Sequence, residues 1–172
     1  MFRAGITLAI FVALSAWVGA QGPAPAPRLS AADHLRLLRV NRVLLADLVN
    51  NGVRMTAKDD PLHRAAVCAD SMRALGLAMQ RAADGQDPDR VAELAGHLEA
   101  IVRDGLVPNL DDATQIIPPG SARAGELKQL RERATRELDE FRAAVPSNGK
   151  VGDDARVRDV RGKLDGLREK LK

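Results

Sequence analysis

The fold is decided by residues 60–85, which read DPLHRAAVCADSMRALGLAMQRAADG. Asp60 is a good helix N-cap, and Pro61 suits the first helical position because the amide hydrogen that proline lacks would have no partner there. Gly85 favours the end of the same helix. A broad apolar face predicts that this helix packs inside a compact bundle. At 100° per residue that face consists of Ala65, Cys68, Ala69, Met72, Leu75, Gly76 and Met79.

A first helix is predicted over residues 30–49. Ser30 and Asp33 resemble a capping box in which Asp replaces the usual Glu. Asn51-Gly52 predicts the end of this helix, because both residues tolerate the left-handed conformation that closes helices.

The third helix is predicted to start at Asp87-Pro88, which repeats the Asp-Pro signal. Its apolar positions again form a broad face. Gly105 and Pro108 predict its end. The residues that follow, 109–120, are expected to form a loop, so residues 30–108 would make a three-helix core.

Two further helices are predicted in residues 121–172. Ser121 starts the fourth, which stops before Pro146, and Asp153 or Asp154 caps the fifth. The linker 146–153 is expected to be flexible. Both helices have narrow apolar stripes, and the second has the alternating spacing of 3 and 4 residues that is typical of a coiled-coil seam. The stripes are Leu127, Leu130, Ala134, Leu138, Phe141 and Val145 in one helix and Val157, Val160, Leu164, Leu167 and Leu171 in the other.

Charged residues of opposite sign accompany the two stripes. Glu126 and Glu137 lie beside the first stripe, which favours pairing of the two helices as a coiled-coil-like hairpin. The hairpin could dock on the rest of this chain or on another chain, and we expect it to be the partner-binding element. The basic residues beside the second stripe are Arg156, Arg161, Lys163, Arg168 and Lys170.

Composition supports an all-α fold, a small bundle of about five helices. Aromatic residues make up only 2% of the 172 residues, whereas sheets favour aromatic side chains. Single-strand nucleic-acid binders stack bases on aromatic rings, and the net charge of +3 is small, so a nucleic-acid partner is not expected.

The first twenty residues have the three parts of a secretory signal: a basic start at Arg3, an uncharged apolar run, and small residues at Val18-Gly19-Ala20. We expect cleavage after Ala20 and a periplasmic or extracellular location, with an uncleaved membrane anchor as the alternative. Residues 21–29 are a Pro/Ala-rich spacer. After cleavage, binding to a membrane surface is not expected, since the basic side of the last helix is interrupted by acids.

His34 and Asn41 are candidate buried polar or partner-contact residues. They are seven residues apart on the predicted apolar face of the first helix, where a polar side chain either fixes helix register or contacts a ligand or partner. The register role is the favoured interpretation. The apolar residues around them are Leu37, Leu38, Leu44, Leu45 and Leu48.

The remaining candidates favour structural roles. Cys68, the only cysteine, lies on an apolar face and is interpreted as a small buried hydrophobic residue. His63 and His97 lie on polar helix faces, so no metal site is predicted, and no cofactor motif or catalytic set occurs at an informative spacing.

The sequence therefore favours a non-enzymatic interaction or structural protein of the cell envelope that acts through helix surfaces. One alternative is a periplasmic chaperone-like or ligand-binding bundle that uses a groove between helices. A second alternative is a bundle that binds a metal or cofactor. The expected partner is a protein, either a second copy or another envelope protein, that binds residues 121–172.

Overall fold

Two helices start at the predicted Asp-Pro signals in the computed structural model, which describes residues 30–171. Helix α2 spans Pro61–Asp84, and the Asp60 carboxylate accepts a hydrogen bond from the His63 amide at 3.1 Å. Helix α3 spans Pro88–Ile101, and Asp87 accepts from the Arg90 amide at 3.0 Å. Gly85 is the C-cap of α2. The two predicted helix starts and the predicted helix end at Gly85 are therefore confirmed. The starts were predictable because their caps act through local hydrogen bonds.

Helix α1, Ala31–Thr56, is longer than predicted. The predicted end at Asn51-Gly52 is wrong, since the helix continues through both residues. Asn51 is buried, and its side-chain amide donates a hydrogen bond to the Ser71 hydroxyl of α2 at 3.1 Å. Asn51 on its own favours a turn. The tertiary contact with Ser71 therefore keeps it in the helix.

The predicted break at Gly105 and Pro108 is also wrong. Helix α3 runs into a π-helical segment, Val102–Leu106, and then into helix α4, Val107–Ile116, so the predicted loop at 109–120 is helical up to residue 116. Pro108 lies in the first turn of α4, where the wider π turn accommodates its missing amide hydrogen. The Asn109 side chain donates to the Gly105 carbonyl at 2.7 Å. The buried residues Leu106 and Leu110 keep this segment on the core.

The C-terminal helices follow their predicted bounds, but the linker between them does not. Helix α5 spans Ala122–Ala144 and α7 spans Ala155–Leu171. The predicted flexible linker contains a short helix α6, Gly149–Gly152, whose Val151 is buried. A Cβ on Gly152 would lie 2.5 Å from the Ser147 carbonyl carbon, so the linker backbone is closely packed.

The chain divides into two units between Val40 and Asn41, and helices α2 to α7 belong to the second. Helix α2 packs against α3, α4 and α5, while α7 packs against α3 and α5. All the predicted stripe residues of α5 and α7 are buried in the same hydrophobic core as the residues of α2 and α3. The C-terminal hairpin thus docks on its own chain, and the prediction of a small all-α bundle is confirmed.

The predicted signal sequence at 1–20 and the spacer at 21–29 lie outside the described residues. Within residues 30–171, no helix has the length and apolar content that crossing a membrane requires.

Candidate functional site

Of the two candidate polar residues of α1, His34 and Asn41, only Asn41 has a side chain that the structure describes. The side chain of His34 lies outside the described part of the structure. Asn41 is half-buried rather than buried, and its Oδ1 accepts a hydrogen bond from Arg90 Nη2 at 2.7 Å. Arg90 also pairs with Glu93 on α3. Asn41 therefore contacts the start of α3 near the protein surface.

Among the described side chains of α1, the buried polar one is Asn51, which the sequence predicts to end the helix. Its Nδ2 donates to Ser71 Oγ, and its Oδ1 accepts from Arg54 Nη1 at 3.1 Å. Arg54 also pairs with Asp70 of α2 at 2.9 Å. Two polar side chains, Ser71 of α2 and Arg54 of α1, thus satisfy the buried Asn51 amide, and Arg54 extends the network to Asp70. The signal that could have identified Asn51 is its distance of seven residues from Leu44, which is also buried.

The predicted basic residues of α7 are largely engaged within the chain. The resulting contacts join α7 to α3, to α5 and to its own first turn. Beside Arg156, the pKa of the Asp154 carboxyl falls to about 2, because the guanidinium hydrogen-bonds to the ionised form. The observed contacts are Arg156 with Asp89 and Asp154, Arg161 with the Val145 carbonyl, Lys163 with Glu99 and Asp159, and Arg168 with Asp139 and Glu169.

Helices α5 and α7 pair through different acids from those predicted. Arg168 of α7 pairs with Asp139 of α5 at 2.8 Å. Glu137 is buried and faces α2, where its Oε1 lies 3.8 Å from Arg73 Nη1 and its Oε2 has no hydrogen-bond partner. Burial raises the pKa of Glu137, although Arg133 and Arg73 oppose this shift.

Exposed apolar side chains lie along the outward side of the part of α1 that belongs to the second unit. Of the seven large hydrophobic residues that are exposed among those described, five belong to this helix. Val49 and Val53 are 64% and 66% exposed, and Leu45 is 45% exposed. On the inward side, α1 contributes Leu44 to the core, with Leu48 and Met55 partly buried against it. Leu45, which the sequence placed on the buried face, therefore belongs to the outward one. The exposed five are Leu35, in the first unit, and Val43, Leu45, Val49 and Val53, in the second.

A groove of 770 Å³ runs along α5, between α4 and the end of α7. Ala124, Leu127 and Leu171 contribute apolar surface to it. Its charged residues are Lys128, Arg131, Glu132 and Arg136, so cations predominate. Arg131 is held by Asp111 at 3.2 Å and by Thr114 at 3.1 Å.

A second cavity, of 500 Å³, lies beside the π-helical segment and includes Met55, Cys68 and Gly105. Cys68 is 2% exposed, and burial raises the pKa of its thiol, while Arg64 opposes this shift. A Cβ on Gly105 would lie 2.9 Å from the Cys68 sulfur, so the sulfur packs closely against the Gly105 backbone. These features agree with the interpretation of Cys68 as a buried hydrophobic residue.

Within residues 30–171, no group of three or more His, Cys, Asp or Glu side chains could hold a metal ion. Comparison of the chain with known protein families, with curated proteins and with solved structures found no match.

Proposed function

We propose that the chain is an exported, non-enzymatic interaction or structural protein of the cell envelope that acts through its helix surfaces. The observation that carries this proposal is the row of exposed apolar side chains, Leu45, Val49 and Val53, on the outward side of α1. Single exposed apolar residues are common on protein surfaces, but a contiguous patch marks an interaction site. Val49 and Val53 are one helical turn apart, so they belong to one patch.

The proposal has a direct test in the cell. A photoreactive amino acid at Val49 should form adducts with protein in the envelope fraction, while one at Ile116 should not. Ile116 is a matched control because it is 58% exposed on α4 and is apolar. Intact mass should also show that the protein in that fraction begins at Gln21. A folded protein that forms no adduct at Val49, or that retains Met1 in the cytoplasm, contradicts the proposal.

A second candidate function, a chaperone-like or ligand-binding bundle, is favoured by the groove along α5. The groove combines apolar side chains with Lys128, Arg131 and Arg136. An acidic amphipathic helix fits this chemistry, since its apolar stripe would meet Ala124 and Leu127 and its acids would meet the cations.

The groove function is tested with two designed helical peptides of about 14 residues that share an apolar stripe and carry either Glu or Lys beside it. The acidic peptide should bind, and Lys128→Glu with Arg136→Glu should weaken binding at least tenfold. Arg158→Glu is the control, because Arg158 is exposed on α7 and does not line the groove. Equal binding of both peptides would show that the cations of the groove do not select the acidic peptide.

A further inference from the structure

Among the described residues, the 500 Å³ cavity beside the π-helical segment shares none with the outward side of α1 or with the groove along α5. Its volume lies within the range of about 300–1,000 Å³ that is usual for small-molecule sites. We infer that it binds a small molecule with an unbranched aliphatic tail and one carboxylate, which pairs with Arg64. This inference goes beyond the proposed function, because it concerns a separate site and a different kind of ligand.

Apolar residues from three elements form walls of the cavity. Met55 comes from the end of α1, and Gly105 comes from the π-helical segment. Ala100 and Ile101 come from the end of α3. Each of these residues is only half-buried, so their apolar surface remains in contact with water. An aliphatic tail that covers the walls removes this surface from water, and the gain is roughly proportional to the area covered.

Arg64 supplies the positive charge of the cavity. Its Nη1 lies 3.1 Å from Asp59 Oδ1, but the Asp59 side chain is 95% exposed, so water competes for this ion pair. Within residues 30–171, the buried Nε of Arg64 has no hydrogen-bond acceptor. A guanidinium has several N–H donors in a planar fork, so Arg64 can bind a ligand carboxylate while it keeps Asp59.

The charge of Arg64 lies close to the base of the cavity. Cys68 follows Arg64 by one helical turn, is buried and also lines the cavity. Burial raises the pKa of the Cys68 thiol, and the positive charge of Arg64 opposes this shift, so the guanidinium is near the sulfur. A carboxylate bound to Arg64 therefore has its tail within reach of the apolar walls.

Two uncharged polar side chains in the lining are already engaged within the chain. The Ser71 hydroxyl donates to the Val67 carbonyl and accepts from Asn51, each at 3.1 Å. The Asn109 side chain donates to the Gly105 carbonyl at 2.7 Å. Arg64 is therefore the side chain that fixes the polar end of a ligand.

One acid in the lining, Asp104, limits the charge of the ligand. Its carboxylate accepts hydrogen bonds from Arg103 Nε at 2.7 Å and Nη2 at 2.8 Å. Its negative charge disfavours a second negative charge on the ligand. A carboxylate, with a single charge, therefore fits better than a phosphate monoester, which carries about −1.5 to −2 at pH 7.

The test is a titration of the purified chain, followed by NMR of ¹³C-labelled methionine methyl groups. Octanoate should shift the resonance of Met55 and leave that of Met79, which is fully buried in the core, unchanged. We expect a dissociation constant on the order of 0.1–1 mM. Hexanoate should bind about tenfold more weakly, because it buries two fewer methylene groups. Octyl phosphate and 1-octanol should each bind more weakly than octanoate by about fivefold or more.

Two variants locate the tail and the carboxylate. Arg64→Gln should weaken octanoate binding by about fivefold or more and leave 1-octanol binding unchanged. Arg81→Gln is the matched control, because Arg81 is exposed on the same helix and does not line the cavity. Ala100→Leu should weaken both ligands by about tenfold or more, since the larger side chain occupies the space of the tail. Far-UV circular dichroism checks that each variant is folded.

The outcomes that overturn the inference are distinct. A folded wild-type chain whose Met55 resonance does not respond to octanoate overturns it, and so does octanoate binding that Ala100→Leu leaves unchanged. Equal affinity for octanoate and 1-octanol, or octanoate binding that is insensitive to Arg64→Gln, overturns the carboxylate. Tighter binding of octyl phosphate than of octanoate overturns the single charge.

Discussion

Replacement of Gly76 by Ala tests how α2 and α5 are packed. Gly76 lies in the middle of α2, and the ring of Phe141 from α5 covers it. A methyl group at Gly76 would overlap ring carbons Cε1, Cε2 and Cζ of Phe141. Carbon atoms normally pack at about 3.5–4.0 Å, so the ring would have to move by roughly an ångström or more.

Three energies determine the expected change. Alanine in place of glycine should stabilise a helix by about 1 kcal/mol. Insertion of a methyl group into a filled core costs about 1–3 kcal/mol, and expulsion of the Phe141 ring, which is 4% exposed, costs about 3–5 kcal/mol. Because the overlap involves three ring atoms, we expect the larger costs to dominate. The net loss of unfolding free energy should be about 2–4 kcal/mol.

The measurement is urea unfolding of the wild type and the variant, followed by far-UV circular dichroism. Gly96→Ala is the matched control, because Gly96 is also in a helix interior but a Cβ there meets nothing within 4 Å. The control should gain about 0.5–1 kcal/mol. In the Gly76→Ala background, Phe141→Leu should restore part of the lost stability, with a coupling energy above about 1 kcal/mol. If Gly76→Ala is as stable as the wild type, the described packing of α5 on α2 is refuted.

Three further predictions concern the buried side chains Glu137, Asn51 and Cys68. The raised pKa of Glu137 means that the folded state binds its proton more tightly than the unfolded state does. The stability of the protein therefore falls as pH rises from the ordinary glutamate pKa of 4.5 through the raised pKa of the folded state. Glu137→Gln should therefore be stabilising at pH 7 in thermal melts, and this gain should shrink below about pH 4.5; a gain that is independent of pH would contradict it. Asn51→Ala should cost about 1–2 kcal/mol in urea unfolding and Asn41→Ala less than about 1 kcal/mol, because only Asn51 is buried; the reverse order would assign the anchor of α1 to Asn41. The thiol of Cys68 should react with a thiol reagent much faster in urea than in the folded protein, and equal rates would show that it is accessible.

Local signals made the starts of α2, α3 and α5 predictable. The caps at Asp60, Asp87 and Ser121 act through side-chain hydrogen bonds within three residues, so the sequence contains the whole interaction. The apolar stripes of α5 and α7 were predictable for a similar reason, since the spacing of their residues determines which side of the helix is buried.

The two wrong helix ends depend on contacts that are distant in sequence. Asn51 stays helical because Ser71, twenty residues away, receives its hydrogen bond. Gly105 stays helical and packs against Cys68, and the π-helical segment that contains Gly105 accommodates Pro108 in the next turn. Each residue has a local preference for a break, and tertiary packing outweighs a preference that is worth about 1 kcal/mol.

The surface of α1 was not predictable because this helix is apolar on two sides. Leu44 and Leu45 are neighbours in sequence, and only the packed bundle determines which of them is buried. The structure buries Leu44 and leaves Leu45 with Val49 and Val53 on the outside. A helical wheel gives the apolar sides of a helix but not the side that docks.

The anchoring of α1 is the reverse of what the hydrophobic effect alone would produce. A helix that served only to complete the core would bury its valines and expose its asparagines. Here Asn51 is buried, while Val49 and Val53 are exposed. A buried amide is stable only where its hydrogen bonds are formed, and the hydroxyl of Ser71 provides one such partner. Rotation of α1 would break this hydrogen bond, so Asn51 fixes the rotation of the helix. The same hydrogen bond therefore keeps Val49 and Val53 on the outward side of α1.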